Sequence, residues 1–306
     1  MNQKLLYLIL ISLSISLDSI SIKNLSNILN SKKEKKIDTA NIVIDLNKGI
    51  DLNFIVDDPN KDRISDFFIG EPGIEKVKQK SKDFIPQDLS DKDVVVFETT
   101  KGVIKLKLFN DIAPNHALNF KKLCNSEFYD RTSFHRVIRD FMIQGGDILS
   151  RDSNRQNDGM GSPGWSIDAE FSELKHKRGT LSMARSSDPN SAGSQFFICV
   201  KDSPWLDGKY TIFGKVIEGL DIVDRIVNSI TDRDFMLKNT ISKIPMGEAL
   251  DDWIEVIDPV TKKKVYSKIP MGETESSYMD TVRKSLTSNN PYIRIEIITA
   301  RVYAEE

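Results

Sequence analysis

The chain is poor in the residues that usually announce chemistry: its 306 positions hold two cysteines, three histidines and three tryptophans. Cys124 and Cys199 lie in the apolar stretches NFKKLC and QFFICV, with neither disulfide nor metal spacing. They read as buried thiols that pack like small hydrophobes. His116, His135 and His176 form no i, i+4 pair and have no cysteine nearby, which leaves a zinc site without ligands. No G-x-S-x-G turn occurs to expose a serine nucleophile. GMGSPG at 159–164 has the glycine spacing of a dinucleotide loop, but strand-like WSIDAEF follows it where a helix is required, so it reads as a tightly turned loop.

Charge of one sign is also missing. Lysine and arginine number 43 and aspartate and glutamate 45, for a net charge of −2, so no global field draws the chain to nucleic acid. The one conspicuous apolar run, Leu5 to Leu17 behind Lys4, is shorter than the about 20 residues that span a bilayer. With its basic start and serine-rich end it reads as an export signal over residues 1–20, or as a membrane tether if it is not cleaved.

What remains is a soluble chain, 39% hydrophobic and 29% charged, long enough to bury a core. Residues 21–90 form an extension of unassigned role: the charge run NSKKEKK, then strand-like pieces among turns, with no chemical motif. From Asp93 the pattern sharpens. VVVFETTKGVIKLKLF predicts a hairpin turning at Lys101-Gly102, with Ile104, Leu106 and Leu108 alternating against Lys105 and Lys107. Pro114 opens a helix whose Ala117, Phe120 and Cys124 share a face. GLDIVDRIVNSI predicts a second, with Ile222, Val223, Ile226, Val227 and Ile230 on one stripe. Short apolar segments at TSFHRVI, FMIQGG, GTLSMA, SQFFICV and YTIFGKVI, bounded by turn residues, predict a mainly β barrel or sandwich. YIRIEIITARVYAEE reads as the last strand. Before it, SKIPMGE at 242–248 recurs unchanged at 267–273, the mark of a duplicated insertion over 231–290. Its Ile244-Pro245 and Ile269-Pro270 bonds are either tethered pseudo-substrates or paired turns anchored by Trp253 and Tyr266.

Three stretches concentrate the remaining chemistry: FHRVIRDFMIQGGD at 134–147, GTLSMARSSDPNSAGSQFFICV at 179–200 and SPWLDGKYTIFGKV at 203–216. In these stretches, and in their order, the chain resembles the cyclophilins, the peptidyl-prolyl cis-trans isomerases, from about Asp93 to Asn228 and again at the final strand. The resemblance implies an eight-stranded closed antiparallel β-barrel capped by two helices, with the isomerase domain over residues 91–306. It implies non-covalent catalysis on X-Pro bonds without metal or cofactor, proline-containing polypeptides as partners, and cyclosporin as inhibitor. Carried over by position, it makes Arg136 and Gln144 catalytic. Phe141, Met142, Phe197 and Leu206 would line the proline pocket, Ala184 and Gln195 would flank the peptide, and Trp205 would contact cyclosporin. Tyr210 and Arg185 depart from the commonest pattern, which has histidine and asparagine there. Phe134, Val137 and Ile143 are expected to face the core instead. Together with the export signal, these features suggest an isomerase that assists the folding of exported proteins. The alternative is a cyclophilin-like binding module or chaperone for proline-containing segments.

Overall fold

A computed structural model describes residues 73–152 and 154–304; the export-signal reading and most of the extension fall outside them. The described chain opens with α1 (Ile74–Asp83), the hairpin β1 (Asp93–Thr99) and β2 (Gly102–Leu108), and α2 (Pro114–Asn125). Then come β3 (Arg136–Ile138), β4 (Met142–Gly145), β5 (Thr180–Met183), β6 (Phe196–Cys199), β7 (Ile212–Glu218) and α3 (Leu220–Val227). The chain closes with α4 (Asp232–Lys238), the hairpin β8 (Trp253–Ile257) and β9 (Lys264–Lys268), α5 (Glu275–Thr287) and β10 (Ile297–Ala304).

Eight strands form one antiparallel sheet in the order β10-β1-β2-β7-β5-β6-β4-β3. The expected closed barrel is therefore corrected to a curled sheet, because β10 and β3 share no ladder. The strip before β3 meets the strip before β10 through a single bridge, Ser133 to Glu296, and through backbone bonds such as Phe134 N–H to the Ile295 carbonyl at 3.0 Å. β3 is only three residues long, and its Val137 N–H is taken by the Asn289 carbonyl at 2.8 Å. That loop occupies the outer edge of β3, which would otherwise present unpaired backbone.

Alternation along the strands divides the side chains between two faces. Val95, Phe97, Ile104, Leu106, Leu181, Ile198 and Phe213 fill one core together with Phe134, Val137 and Ile143. Phe97, Phe120, Tyr129 and Phe196 meet there with ring centroids 5.1 to 6.4 Å apart, in tilted and edge-on pairs that aromatic quadrupoles favour. α2 packs on β7 and β10, and α3 on β2, β3 and β4. Both predicted helices are present, but α3 stops at Val227, so Ile230 lies outside its stripe and is exposed. Cys124 and Cys199 are buried and unpaired.

Among the described residues there are five α-helices where two were expected. α4 and α5 belong to the segment 231–290, which carries its own small core of Met236, Ile254, Val256, Val282 and Leu286. Thr231 caps α4 in a reciprocal capping box with Asp234, and Thr274 caps α5. Each SKIPMGE copy ends in a tight turn, Glu248 N–H to Pro245 O at 3.3 Å and Glu273 N–H to Pro270 O at 3.1 Å. Trp253 donates to Glu248 at 3.0 Å and so holds the first copy. Tyr266 binds Glu255 at 3.0 Å on the hairpin instead, and pairs its backbone with Ile241.

Candidate active site

The site grows from strand register. Arg136 on β3 stands opposite Gln144 on β4, Gln144 opposite Phe197 on β6, and Phe197 opposite Ser182 on β5. Directly opposed residues project from the same face, so these four side chains form one row across four strands. Two residues along, Met142 opposes Cys199 and both share that face. Met142, Phe197, Cys199 and Leu206 form a second apolar cluster, separate from the main core, with Ile138, Phe141, Ala184 and Tyr210 packed against it. The stretch 134–147 thus supplies both faces of the sheet.

In the row, Arg136 Nη1 donates to Gln144 Oε1 at 3.0 Å, and Gln144 Nε2 donates to Gln195 Oε1 at 3.0 Å. Gln195 Nε2 in turn donates to the carbonyls of Gly159 at 2.8 Å and Gly161 at 3.0 Å. The glycine loop is pinned by Asp147, a fully buried carboxylate that accepts from the backbone N–H groups of Leu149, Gly159 and Gly161. Burial pushes the Asp147 carboxyl above its usual range and these donors pull it back. Gly161 has to be glycine, because a Cβ there would overlap the Asp147 carboxylate. Packing lowers the Arg136 pKa from the ordinary arginine value, and the guanidinium remains charged at neutral pH.

Beside this row lies the apolar pocket. Met142 is only 1% exposed at its floor, and Leu206 comes from the one-turn helix Pro204–Leu206. The Phe197 ring stacks on His176 at 6.1 Å and meets Tyr210 edge-on at 5.9 Å. His176 is locked between Asp207 and Ser182, each at 3.1 Å. Phe141 lies 5.5 Å from the ring of Trp205, which is 54% exposed at the rim. Ala184 and Gln195 are half-buried between the pocket and the glycine loop. Every residue picked out by position is therefore in the row, the pocket or its rim. The two departures from the commonest pattern meet each other: the Arg185 guanidinium lies 4.6 Å over the Tyr210 ring and also binds the Lys209 carbonyl at 2.8 Å.

Sequence reasoning missed Asp147, His176 and Ser182. A buried aspartate behind a double glycine and a histidine facing Asp207 carry no spacing signal. His135 lies beneath Gly159, and neither of its ring nitrogens has a hydrogen-bond partner. Burial pushes its pKa down to about 4. Chemically, the site offers a charged donor braced by neutral amides beside an apolar cluster. That suits binding and polarising an amide whose nitrogen belongs to an apolar ring.

Comparison with known proteins agrees with that class. Residues 94–246 match the family described as cyclophilin type peptidyl-prolyl cis-trans isomerase/CLD. A probable peptidyl-prolyl cis-trans isomerase of Brucella suis is 40% identical over 152 residues, 48% of this chain and 78% of that protein. The peptidyl-prolyl cis-trans isomerase-like 1 of Neurospora crassa is 44% identical over 147 residues, 46% of this chain and 84% of its own length. The peptidyl-prolyl cis-trans isomerase of Acinetobacter baylyi is 43% identical over 152 residues, 48% of this chain and 78% of that one. A crystal structure of a Cryptosporidium parvum cyclophilin type isomerase, obtained in the presence of the dipeptide Ala-Pro, is 28% identical with a TM-score of 0.48, covering 69% of this chain and 99% of that one. The chain belongs to the cyclophilin-type peptidyl-prolyl cis-trans isomerases. It is an isomerase of peptide bonds preceding proline.

The buried neutral His135 predicts how stability depends on pH. Its folded pKa of about 4 lies below the ordinary 6.5, so between these values the unfolded chain binds a proton that the folded chain refuses. Its contribution is complete above about pH 6.5 and falls by roughly 3 kcal/mol as pH drops through 4. Urea unfolding at pH 7 and pH 4.5 should show a smaller pH difference for His135→Gln than for the natural protein. Equal differences would contradict the assignment.

Proposed function

We propose that Arg136 and Gln144 are the catalytic residues, and that the cluster of Phe141, Met142, Phe197 and Leu206 receives the proline ring. Rotation about a peptide bond is opposed by about 18–20 kcal/mol because the nitrogen lone pair is delocalised into the carbonyl. No nucleophile or proton transfer is required to lower this barrier; the conjugation has to be weakened in a twisted state. The apolar pocket holds the ring while the flanking carbonyl turns. The Arg136 guanidinium donates to the prolyl nitrogen as its lone pair localises, a bond that strengthens in the transition state and so accelerates the reaction. Gln144 holds the guanidinium in place and binds substrate backbone, with Ala184 and Gln195 flanking the peptide. The observation that carries this reading is the hydrogen-bonded Arg136–Gln144–Gln195 series beside the apolar cluster of Met142, Phe197 and Leu206. Trp205 at the rim, together with Tyr210, would form the contact for cyclosporin, with the Arg185–Tyr210 pair setting how tightly it binds.

The biological setting we infer is outside the cytoplasm, in the folding of exported proteins, with residues 1–20 as signal or tether. The sequence Lys4 followed by the apolar run Leu5 to Leu17 supports this. Among the described residues no helix is long and apolar enough to cross a membrane.

The catalytic reading is tested by exchange NMR on a short X-Pro peptide. The natural protein accelerates cis-trans exchange and cyclosporin suppresses it. Arg136→Ala lowers kcat/KM by about 100-fold, the worth of a transition-state donor, while the protein keeps its melting temperature. A folded Arg136→Ala protein with unchanged catalysis would refute the role given to the guanidinium, and exchange insensitive to cyclosporin would refute the contact at Trp205. For the setting, cell fractionation should recover the protein outside the cytosol; full-length protein in the cytosol would overturn it.

A further inference from the structure

The segment 231–290 does more than cover the edge of β3. On the Arg136 side of the pocket lies a cleft of about 400 Å³. It is lined by His135, Arg136 and Gln144, by Arg155, Asp158 and Gly159 of the glycine-loop side, and by a third strip, Thr287 to Asn290. This strip follows the C-terminal end of α5, far along the chain from the other lining residues.

This strip and the glycine-loop side are joined to each other. Arg155 binds Asp232 at 2.9 Å and the Pro291 carbonyl at 2.7 Å, and Asn290 Nδ2 donates to Asp158 at 2.5 Å. Ser288 Oγ donates to Asp232 at 2.8 Å, and Arg139 pairs with Asp234 at 2.8 Å. Phe235 and Tyr292 stack with centroids 3.9 Å apart at the base. The Asn289 carbonyl is bound to Val137 N–H, next to Arg136 in β3. The charges on these two sides are thus engaged, and His135 is neutral. Among the described residues, the Asn289 side-chain amide makes no hydrogen bond. It is half-buried and lines the same cleft as Arg136. An amide with one donor face and one acceptor, left free in a polar cleft that continues the substrate groove, matches what an extended peptide backbone presents.

We propose that Thr287–Asn290 form a second wall of the substrate groove and that Asn289 is a specificity-determining residue, hydrogen-bonded to the backbone of an extended polypeptide beyond the X-Pro pair. This rests on the isomerase reading of Arg136. The protein would accordingly favour proline within extended polypeptide segments over a bare X-Pro unit.

The test compares a blocked Ala-Pro dipeptide with an eight-residue peptide of alanine, serine and glycine centred on Ala-Pro, by exchange NMR with the full chain. The natural protein shows a higher kcat/KM for the longer peptide. Asn289→Ala reduces that preference about three- to tenfold, the worth of one hydrogen bond. The alanine variant keeps the backbone bond to Val137, and its melting temperature is measured alongside. Should it melt lower, Asn289→Gln, which retains the amide, is compared with it below both transitions and keeps more of the preference. The same preference in the natural and alanine proteins, or no preference in the natural one, overturns the proposal. A protein that accelerates exchange in neither peptide contradicts the isomerase reading instead. The present inference is then decided by the affinities of the two peptides measured by fluorescence anisotropy, with the same two outcomes.

Discussion

The site depends first on register. Arg136, Gln144, Phe197 and Ser182 face the same way only because β3, β4, β6 and β5 pair with those residues opposite one another. A slip of one residue in any ladder would turn the polar row into the core and Val137, Ile143 or Ile198 out to solvent. Burial of that second set therefore fixes the position of the first. The energy comes from the hydrophobic side of the sheet, and the geometry is used on the other side.

Register alone leaves a long guanidinium free to rotate. It is restrained by a series of neutral amides, Gln144 and Gln195, which end on the carbonyls of the glycine loop, and by Asp147, which ties that loop from beneath. Neutral braces suit the task. A carboxylate partner would satisfy the charge of Arg136 in the ground state and blunt its response to the prolyl nitrogen. The apolar pocket is braced separately, through His176 between Asp207 and Ser182, beneath the Phe197 ring.

How much of this could be read in advance follows from the range of the interactions. The β1–β2 hairpin and the α2 face are written in local alternation or helical period, and the core-facing set of Phe134, Val137 and Ile143 in the motif that carries the resemblance. The cluster around Met142 and Phe197 was legible through resemblance, since apolar residues on short strands look alike whether they line a core or a groove. Closure of the barrel was implied by the resemblance, since the apolar segments alone fit a barrel or a sandwich; β3 is too short to ladder with β10, and the loop at Asn289 takes its edge. α4 and α5 were invisible because DRDFMLK and ESSYMDTVRKSLT have few apolar residues to set a period, and their stability comes from caps and from a small shared core. Asp147 and the Arg185–Tyr210 contact join residues distant in sequence and leave no local trace.

The central claim is that the amide series acts through the Arg136 guanidinium. A double-mutant cycle on kcat/KM for a short X-Pro peptide, with Arg136→Ala, Gln144→Ala and the pair, tests it most directly. The account predicts a larger fold-loss from Gln144→Ala in the natural background than in the Arg136→Ala background, where the brace has nothing left to hold and only its contact with substrate backbone is lost. Losses that multiply independently in the double variant would contradict it.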